Sequence, residues 1–311
     1  MNRTALIVRR VLMLIPTMLA IYTITFVLMH ATPGGPWSNQ GDKPIPPIVL
    51  QRLNKAYGLD KPLWQQYVNY LDHVLHGDFG PSYSQRSQTV SDIIKAAFPV
   101  SLKLGLVAMA IAILVGVTLG VLGAVKHNSW IDYVTSFTAI LGISTPPYVV
   151  VSVLVLILAS RMHLLATGGW DGVFSSKIII PAFALSLYPA AVIARYTRSS
   201  MLDVLKMDYI RTARAKGLRE SRVIIRHCIQ NALLPVVTVT GLILAEVVTG
   251  SFFIESIYSV PGLGRYFVLS ISNRDYPVIL GTVLLFGAMI SVMNLLVDIL
   301  YQFLDPRIEL S

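Results

Sequence analysis

Ionisable residues set inside greasy stretches are the first that could do chemistry in this chain. Lys103, Glu246 and Asp298 each fall in an otherwise apolar run, and a charge held in hydrocarbon is costly enough to persist mainly where it pairs, carries protons or lines a polar path. Glu246 is the deepest, about 14 residues into its run. Its carboxylate could bond a polar group on a neighbouring helix, face a substrate path, or relay protons as in a proton-coupled carrier. Metal chemistry has less behind it. His73 and His76 stand at i, i+3 beside Asp72, but on the solvated face of an amphipathic pattern, and no H-E-x-x-H occurs. The one cysteine, Cys228, allows neither an intrachain disulfide nor a thiolate cluster. No G-x-x-x-x-G-K-[ST] is present, so the chain carries no P-loop. No Ser, His and Asp constellation can be nominated, so no catalytic residue is assigned. The remaining candidate is a basic ribbon, "YIRTARAKGL", at residues 209–218.

The elements that hold these residues are membrane spans. Of 311 residues, 54% are hydrophobic and 13% charged, about half the charge of an ordinary soluble domain, and the mean hydropathy is +0.66. A first uncharged run at 11–29 is long enough to cross a bilayer as a helix. Arg9 and Arg10 before it resemble a signal-peptide n-region, but the run is long for a cleavable one and "HATPGGPW" offers no cleavage site, so it reads as a retained span. Further runs at 99–125, 131–159, 178–194, 232–254 and 278–304 bring the expected total to six spans in an all-α polytopic membrane protein. Arg3, Arg9, Arg10, Lys126, the nine bases between Arg195 and Arg226, and Arg307 fall on the side of the termini. The short loops opposite hold Arg161, Lys177, Arg265 and Arg274. Positive residues favour the cytoplasmic side, which places both termini there.

Three parts follow: an N-terminal tail and first span, 1–30; an insertion, 31–98, on the far side of the membrane; and a five-span core, 99–311, with a cytoplasmic loop at 195–231. In the insertion, Trp64, Tyr67, Val68, Leu71, Val74 and Leu75 share one helix face, with Asp60 as a possible cap, Pro62 in the first turn and Gly77 as the stop. That helix either lies in the lipid interface or packs as a cap over the transport path. In the third run, Pro146 and Pro147 must kink or break the helix, and Pro189 is expected to do the same in the fourth. Broken spans are tolerated where they face protein or water, which makes Gly142, Pro146 and Pro147 candidates for a transport path, with Glu246.

The loop 195–231 has nine bases against Asp203, Asp208 and Glu220, so it carries most of the chain's net charge of +9. For a soluble chain such a balance would suggest nucleic acid; here topology and attraction to anionic headgroups account for the charge, at about 1 kcal/mol per base near the surface. Spacing asks for more. Tyr209, Ala213 and Gly217 fall at i, i+4 and i+8, a stripe along which another backbone could come close, while Arg219, Arg222 and Arg226 share a second face. Charge beside a close-approach stripe is what docking of a cytoplasmic protein requires.

"RTARAKGL" followed by "RHCIQNALLPVV" resembles the Glu-Ala-Ala loop of ABC importer membrane subunits in its peptide and nickel permease form. "RRVLMLIPT", "HGDFGPSY", "GGW", "VPGLGRYFV", "NRDYPVI" and "VDILYQFLDPRI" extend the likeness over nearly the whole chain, nearest to the B-type subunit of oligopeptide permeases. Arg211, Thr212 and Ala213 stand at the Glu-Ala-Ala triplet and Gly217 at its glycine. Arg211 replaces the acid, and Ile229 and Gln230 stand where the general signature has Leu-Pro, with Leu234 and Pro235 five positions later. The resemblance implies a type I ABC importer permease fold with an insertion after the first helix. It makes Tyr209, Ile210, Arg211, Thr212, Ala213, Arg214, Ala215, Lys216, Gly217 and Leu218 the coupling element for an ATPase. It implies a second homologous permease chain, two cytoplasmic ATPase subunits that bind ATP and Mg, and an extracytoplasmic substrate-binding protein, with membrane lipid as solvent and no nucleic acid. No cofactor or metal is expected in this chain. Oligopeptides are the expected cargo, with dipeptides, nickel chelates, glutathione and oligosaccharides as alternatives. A proton-coupled secondary carrier is the alternative of another class; it would have no use for the ribbon.

Overall fold

The computed structural model describes residues 3–38, 45–85 and 87–304. Every regular element among them is helical, apart from one bridge between Pro81 and Thr89. In chain order the α-helices are α1 (Arg3–Ala31), α2 (Pro47–Ala56), α3 (Leu63–Leu75), α4 (Val90–Val125), α5 (Trp130–Ser144), α6 (Pro147–Leu154), α7 (Ile179–Leu205), α8 (Asp208–Ala215), α9 (Glu220–Arg222), α10 (Gln230–Val248), α11 (Phe252–Ile257), α12 (Leu263–Asn273) and α13 (Tyr276–Leu304), with π-helical turns at Val155–Arg161 and Val223–Ile229 and a 3-10 turn at Ser176–Ile178. Arg9–Ala31, Val90–Val125, Ser176–Leu205, Glu220–Ile257 and Tyr276–Val297 are long and apolar enough to cross a membrane. The pair Trp130–Ser144 and Pro147–Arg161 qualifies only jointly and is bent by 100°. Counting that pair as one span gives the six read from the hydropathy pattern.

The residues fall into two compact units, one built from Ser101–Val260 with the chain from Ile290 onward, the other from the chain up to Val100 with Pro261–Met289. In the first, α7 is the axis: fourteen of its residues are buried, among them Ala182, Ala184, Ala190, Ala191 and Ala194. Small side chains let its neighbours touch backbone to backbone. A Cβ on Gly116 of α4 would stand 2.7 Å from the Ala190 carbonyl oxygen, and one on Gly120 2.6 Å from that of Ala194. This is the close small-residue packing that substitutes for hydrophobic drive between helices in lipid. On α5, Gly142 approaches Ala191, where an added Cβ would come within 2.8 Å.

The break after α5 follows from local sterics. Each residue preceding a proline is pushed from the helical to the extended region, and here two in succession are extended, Thr145 (φ −94°, ψ 119°) and Pro146 (φ −61°, ψ 134°). Pro147 then opens α6 at the position where its missing N–H matters least. Pro189 behaves otherwise. It is buried inside an uninterrupted α7, so of the kink or break expected there the break does not occur.

The second unit contains most of the insertion. Its core is aromatic: Tyr22 and Phe26 of α1 meet Tyr67 of α3 at ring-centroid distances of 4.9 and 5.3 Å, and Trp37, Tyr57 and Tyr83 form a second group. Such pairs add about 0.5–1.5 kcal/mol each beyond their burial. The Tyr22 hydroxyl donates to the Tyr67 carbonyl (2.7 Å), and the Tyr70 hydroxyl to those of Phe79 and Pro277. Buried Asp275 caps α13 and accepts from the Ser82 hydroxyl and from the backbone N–H groups of Tyr83 and Ser84, which ties loop 82–84 to that helix.

The α3 pattern serves two surfaces. Tyr67, Leu71 and Val74 pack on the aromatic core, whereas Trp64, Val68 and Leu75 remain exposed. The N-cap is Pro62 rather than Asp60, and the side chain of Gln66 donates instead to the Leu59 and Lys61 carbonyls. Gly77 (φ +76°) does end the helix, its N–H bonded to Val74 and that of Asp78 to His73.

Candidate functional site

The ribbon folds as a short helix, a turn and a longer helix. Asp208 opens α8, where an acid suits the helix dipole, and the Thr212 hydroxyl bonds back to the Asp208 carbonyl at 3.0 Å. Ile210 and Ala213 are buried, in an aliphatic cluster with Ala124 of α4, Met201 of α7, and Val223, Cys228 and Ala232 further along. Asp208, Tyr209, Arg211, Thr212, Arg214 and Ala215 are exposed. The helix therefore binds its own chain through an apolar edge and presents a polar face.

Two details differ from the spacing argument. Ala213 does not share an open stripe with Tyr209, because it points into the cluster. Gly217 is not on the helix: it lies beyond the C-cap Lys216 with φ +75° and open space around it. Its N–H bonds to the Arg214 carbonyl (2.9 Å) and that of Leu218 to Ala213 (3.4 Å), the paired bonds of a glycine-terminated helix, with Leu218 and Ala213 in the same apolar cluster. The glycine serves a left-handed turn rather than a close approach.

Across the turn, Arg214 donates two hydrogen bonds to Glu220, at 2.6 and 3.1 Å. Glu220 thereby holds the Arg214 guanidinium above its ordinary range, and the bidentate pair links α8 to the start of α9. From Val223 to Ile229 the helix widens into a π-turn, then continues as α10 with Pro235 inside it. The ribbon's second helix thus passes into the fifth span without a stop at Asn231. Arg219, Arg222 and Arg226 are exposed, as their shared spacing requires, with Val223 buried behind them.

The other sequence candidates are dispersed. Gly142 packs against α7, Pro146 and Pro147 form the 100° bend, and Glu246 lies exposed in the last turn of α10, just before Gly250 (φ +99°) ends the helix. Lys103 is exposed and well inside α4, which starts at Val90 rather than near 99. The side chain of Asp298 lies outside the described residues. His73 pairs with Asp78 and His76 with the Asp72 carbonyl, and no metal-holding group of three His, Cys, Asp or Glu exists among the described residues.

Three buried acids escaped the sequence argument: Asp275, which caps α13, and two more in the other unit. Glu255, on α11, is fully buried beside Gly250 and Ser101. Asp132, 3% exposed in the first turn of α5, accepts both nitrogens of a bidentate Arg198 on α7 (Nε 2.6 Å, Nη2 2.8 Å), the N–H of Asn128 (3.0 Å) and a contact from His127 Nδ1 (3.2 Å). Arg198 read in sequence as a loop charge, and Asp132 fell at the very start of the run 131–159 without being singled out; the clue was an acid two residues after the Trp130 that starts α5.

The family described as binding-protein-dependent transport system inner membrane component matches residues 116–310, and its N-terminal companion matches residues 3–105. The chain is 44% identical to the dipeptide transport system permease protein DppB of Bacillus subtilis, with 94% of each chain covered. It is 43% identical to the oligopeptide transport system permease protein OppB of Salmonella typhimurium over 97% of this chain and 98% of the relative. Among solved structures, the inward-facing MetNI methionine ABC transporter matches with a TM-score of 0.59 at 15% identity, covering 68% of this chain and 96% of the other. The shared path of helices shows the fold, and the matched sequence shows that the chain belongs to the family of binding-protein-dependent transport system inner membrane components.

Proposed function

We propose that this chain is the permease subunit of a bacterial ABC importer for oligopeptides and that α8 and its terminating turn, residues 208–218, receive the stroke of a cytoplasmic ATPase. The observation that carries the reading is the division of α8: Ile210 and Ala213 anchor it in the helical core, while Asp208, Arg211, Thr212 and Ala215 face outward. A push on that face is transmitted to Met201 of α7 and Ala124 of α4 through close packing. Peptide cargo rests on the relatives, two of which are named for dipeptide and oligopeptide transport.

In this reading both termini and the ribbon are cytoplasmic, and 31–98 is extracytoplasmic. A second homologous permease chain completes the path, two ATPase subunits bind ATP and Mg, and a substrate-binding protein delivers the peptide. The permease performs no bond chemistry of its own. It couples hydrolysis elsewhere to alternating access, with the bend at Pro146 and Pro147, Gly142 beside it, and Glu246 as path elements. The test is affinity purification in mild detergent followed by reconstitution. Two P-loop ATPases and a second six-span chain, with hydrolysis stimulated by loaded binding protein, are the expected result; an isolated chain that recruits no ATPase would overturn the assignment.

A further inference from the structure

We infer that the Asp132–Arg198 pair is the joint that makes α5 follow α7 when α8 is pushed; the inference rests on the coupling role proposed for α8. Arg198 lies one helical turn before Met201, the α7 residue on which the α8 core packs. Its guanidinium holds both oxygens of Asp132 at 2.6 and 2.8 Å. Asp132 opens α5, and the far end of α5 is the break at Thr145 to Pro147.

Several features mark this as a built joint. Asp132 is nearly buried, and its remaining acceptor capacity is used by the Asn128 N–H, in a left-handed turn at φ 60°, by His127 and by the Ser136 hydroxyl at 3.5 Å. Gly123 of α4 closes over the pair, where an added Cβ would stand 2.7 Å from the Thr135 hydroxyl and 3.4 Å from both Arg198 Cδ and Asp132 Oδ1. A planar, two-point contact fixes orientation as well as distance, which a single apolar contact or a lysine cannot do. Further along, α5 touches α7 through Gly142 and Ala191, a close approach of two small residues. The ion pair, with the short loop at 126–129, is the fixed end of that contact. Asp132 and Arg198 are positioning residues: they act by holding α5 to α7, and they set how much helix movement each hydrolysis event delivers.

The experiment compares reconstituted full complexes carrying Asp132→Asn, Arg198→Lys, or the exchanged pair Asp132→Arg with Arg198→Asp, measuring ATP hydrolysed and labelled peptide imported in the same vesicles. The wild-type complex must first show hydrolysis stimulated by the loaded binding protein; without it the functional reading fails, not this inference. Given that control, Arg198→Lys is expected to keep hydrolysis while the ATP spent per peptide rises about tenfold, within the usual range of coupling between sites. Asp132→Asn should raise it further, and the exchanged pair should recover part of the loss. A purely structural pair would lower complex yield, uptake and hydrolysis together at an unchanged ratio. That outcome overturns the inference, as does failure of both single variants to assemble.

Discussion

Prolines interrupt two neighbouring spans of this chain with opposite results. Pro146 and Pro147 divide a span into α5 and α6 at 100°, while Pro189 sits inside 27 continuous residues of α7. A single proline removes one N–H and crowds one carbonyl. A second proline directly after the first adds a sterically enforced extended residue, and Thr145 and Pro146 both take that conformation. Surroundings reinforce the contrast: Pro189 is buried among the small residues that make α7 the axis of its unit, whereas Pro146 is exposed. Proline count and packing together decide which span bends and which one stays continuous.

The strongest way to break this comparison is to remove the double restriction. Pro146→Ala with Pro147→Ala should let α5 and α6 straighten and abolish peptide uptake in an assembled complex. Spin labels at the exposed Phe137 and Val153 should move toward the roughly 24 Å expected for 16 residues of straight helix. Next comes the contact beside the bend. Gly142→Leu drives a side chain into Ala191 and the Leu187 carbonyl; an overpacking cost of about 1–3 kcal/mol is expected, read as a lower melting temperature in detergent with reduced uptake.

A third kind of helix end sharpens the contrast, since the turn after α8 depends on φ rather than on proline. Gly217→Val at φ +75° should cost about 1–2 kcal/mol of local strain and loosen the Arg214–Glu220 link, while Gly217→Asn should be milder. Proteolysis of the ribbon in the purified complex measures it. The smallest effect is expected from Pro189→Ala, which leaves α7 helical; uptake within twofold of wild type would support the comparison, and its loss would mean that α7 carries a functional kink.

Much of this was legible beforehand, for identifiable reasons. Spans, the double-proline break and the glycine stop at Gly77 follow from local rules, and each is present. The ribbon's place and exposed charges were readable from spacing, yet the roles of Ala213 and Gly217 were not: periodicity assumed a helix that continues past Ala215, and Gly217 ends it. Asp132 and Arg198 are 66 residues apart, so only the packing of α5 on α7 unites them. Gly116 and Gly120 show the same limit, because close approach is a property of two helices and one sequence displays one at a time.

The central claim is that the exposed face of α8 is where an ATPase sits. It is tested most directly by maleimide labelling of Thr212→Cys in membranes with and without the ATPase subunits, with His76→Cys as the control position; the native Cys228 is buried. Labelling at 212 that is blocked by the ATPase while labelling at 76 is unchanged is the predicted result. Equal labelling at 212 in both preparations, with the complex assembled, would contradict it.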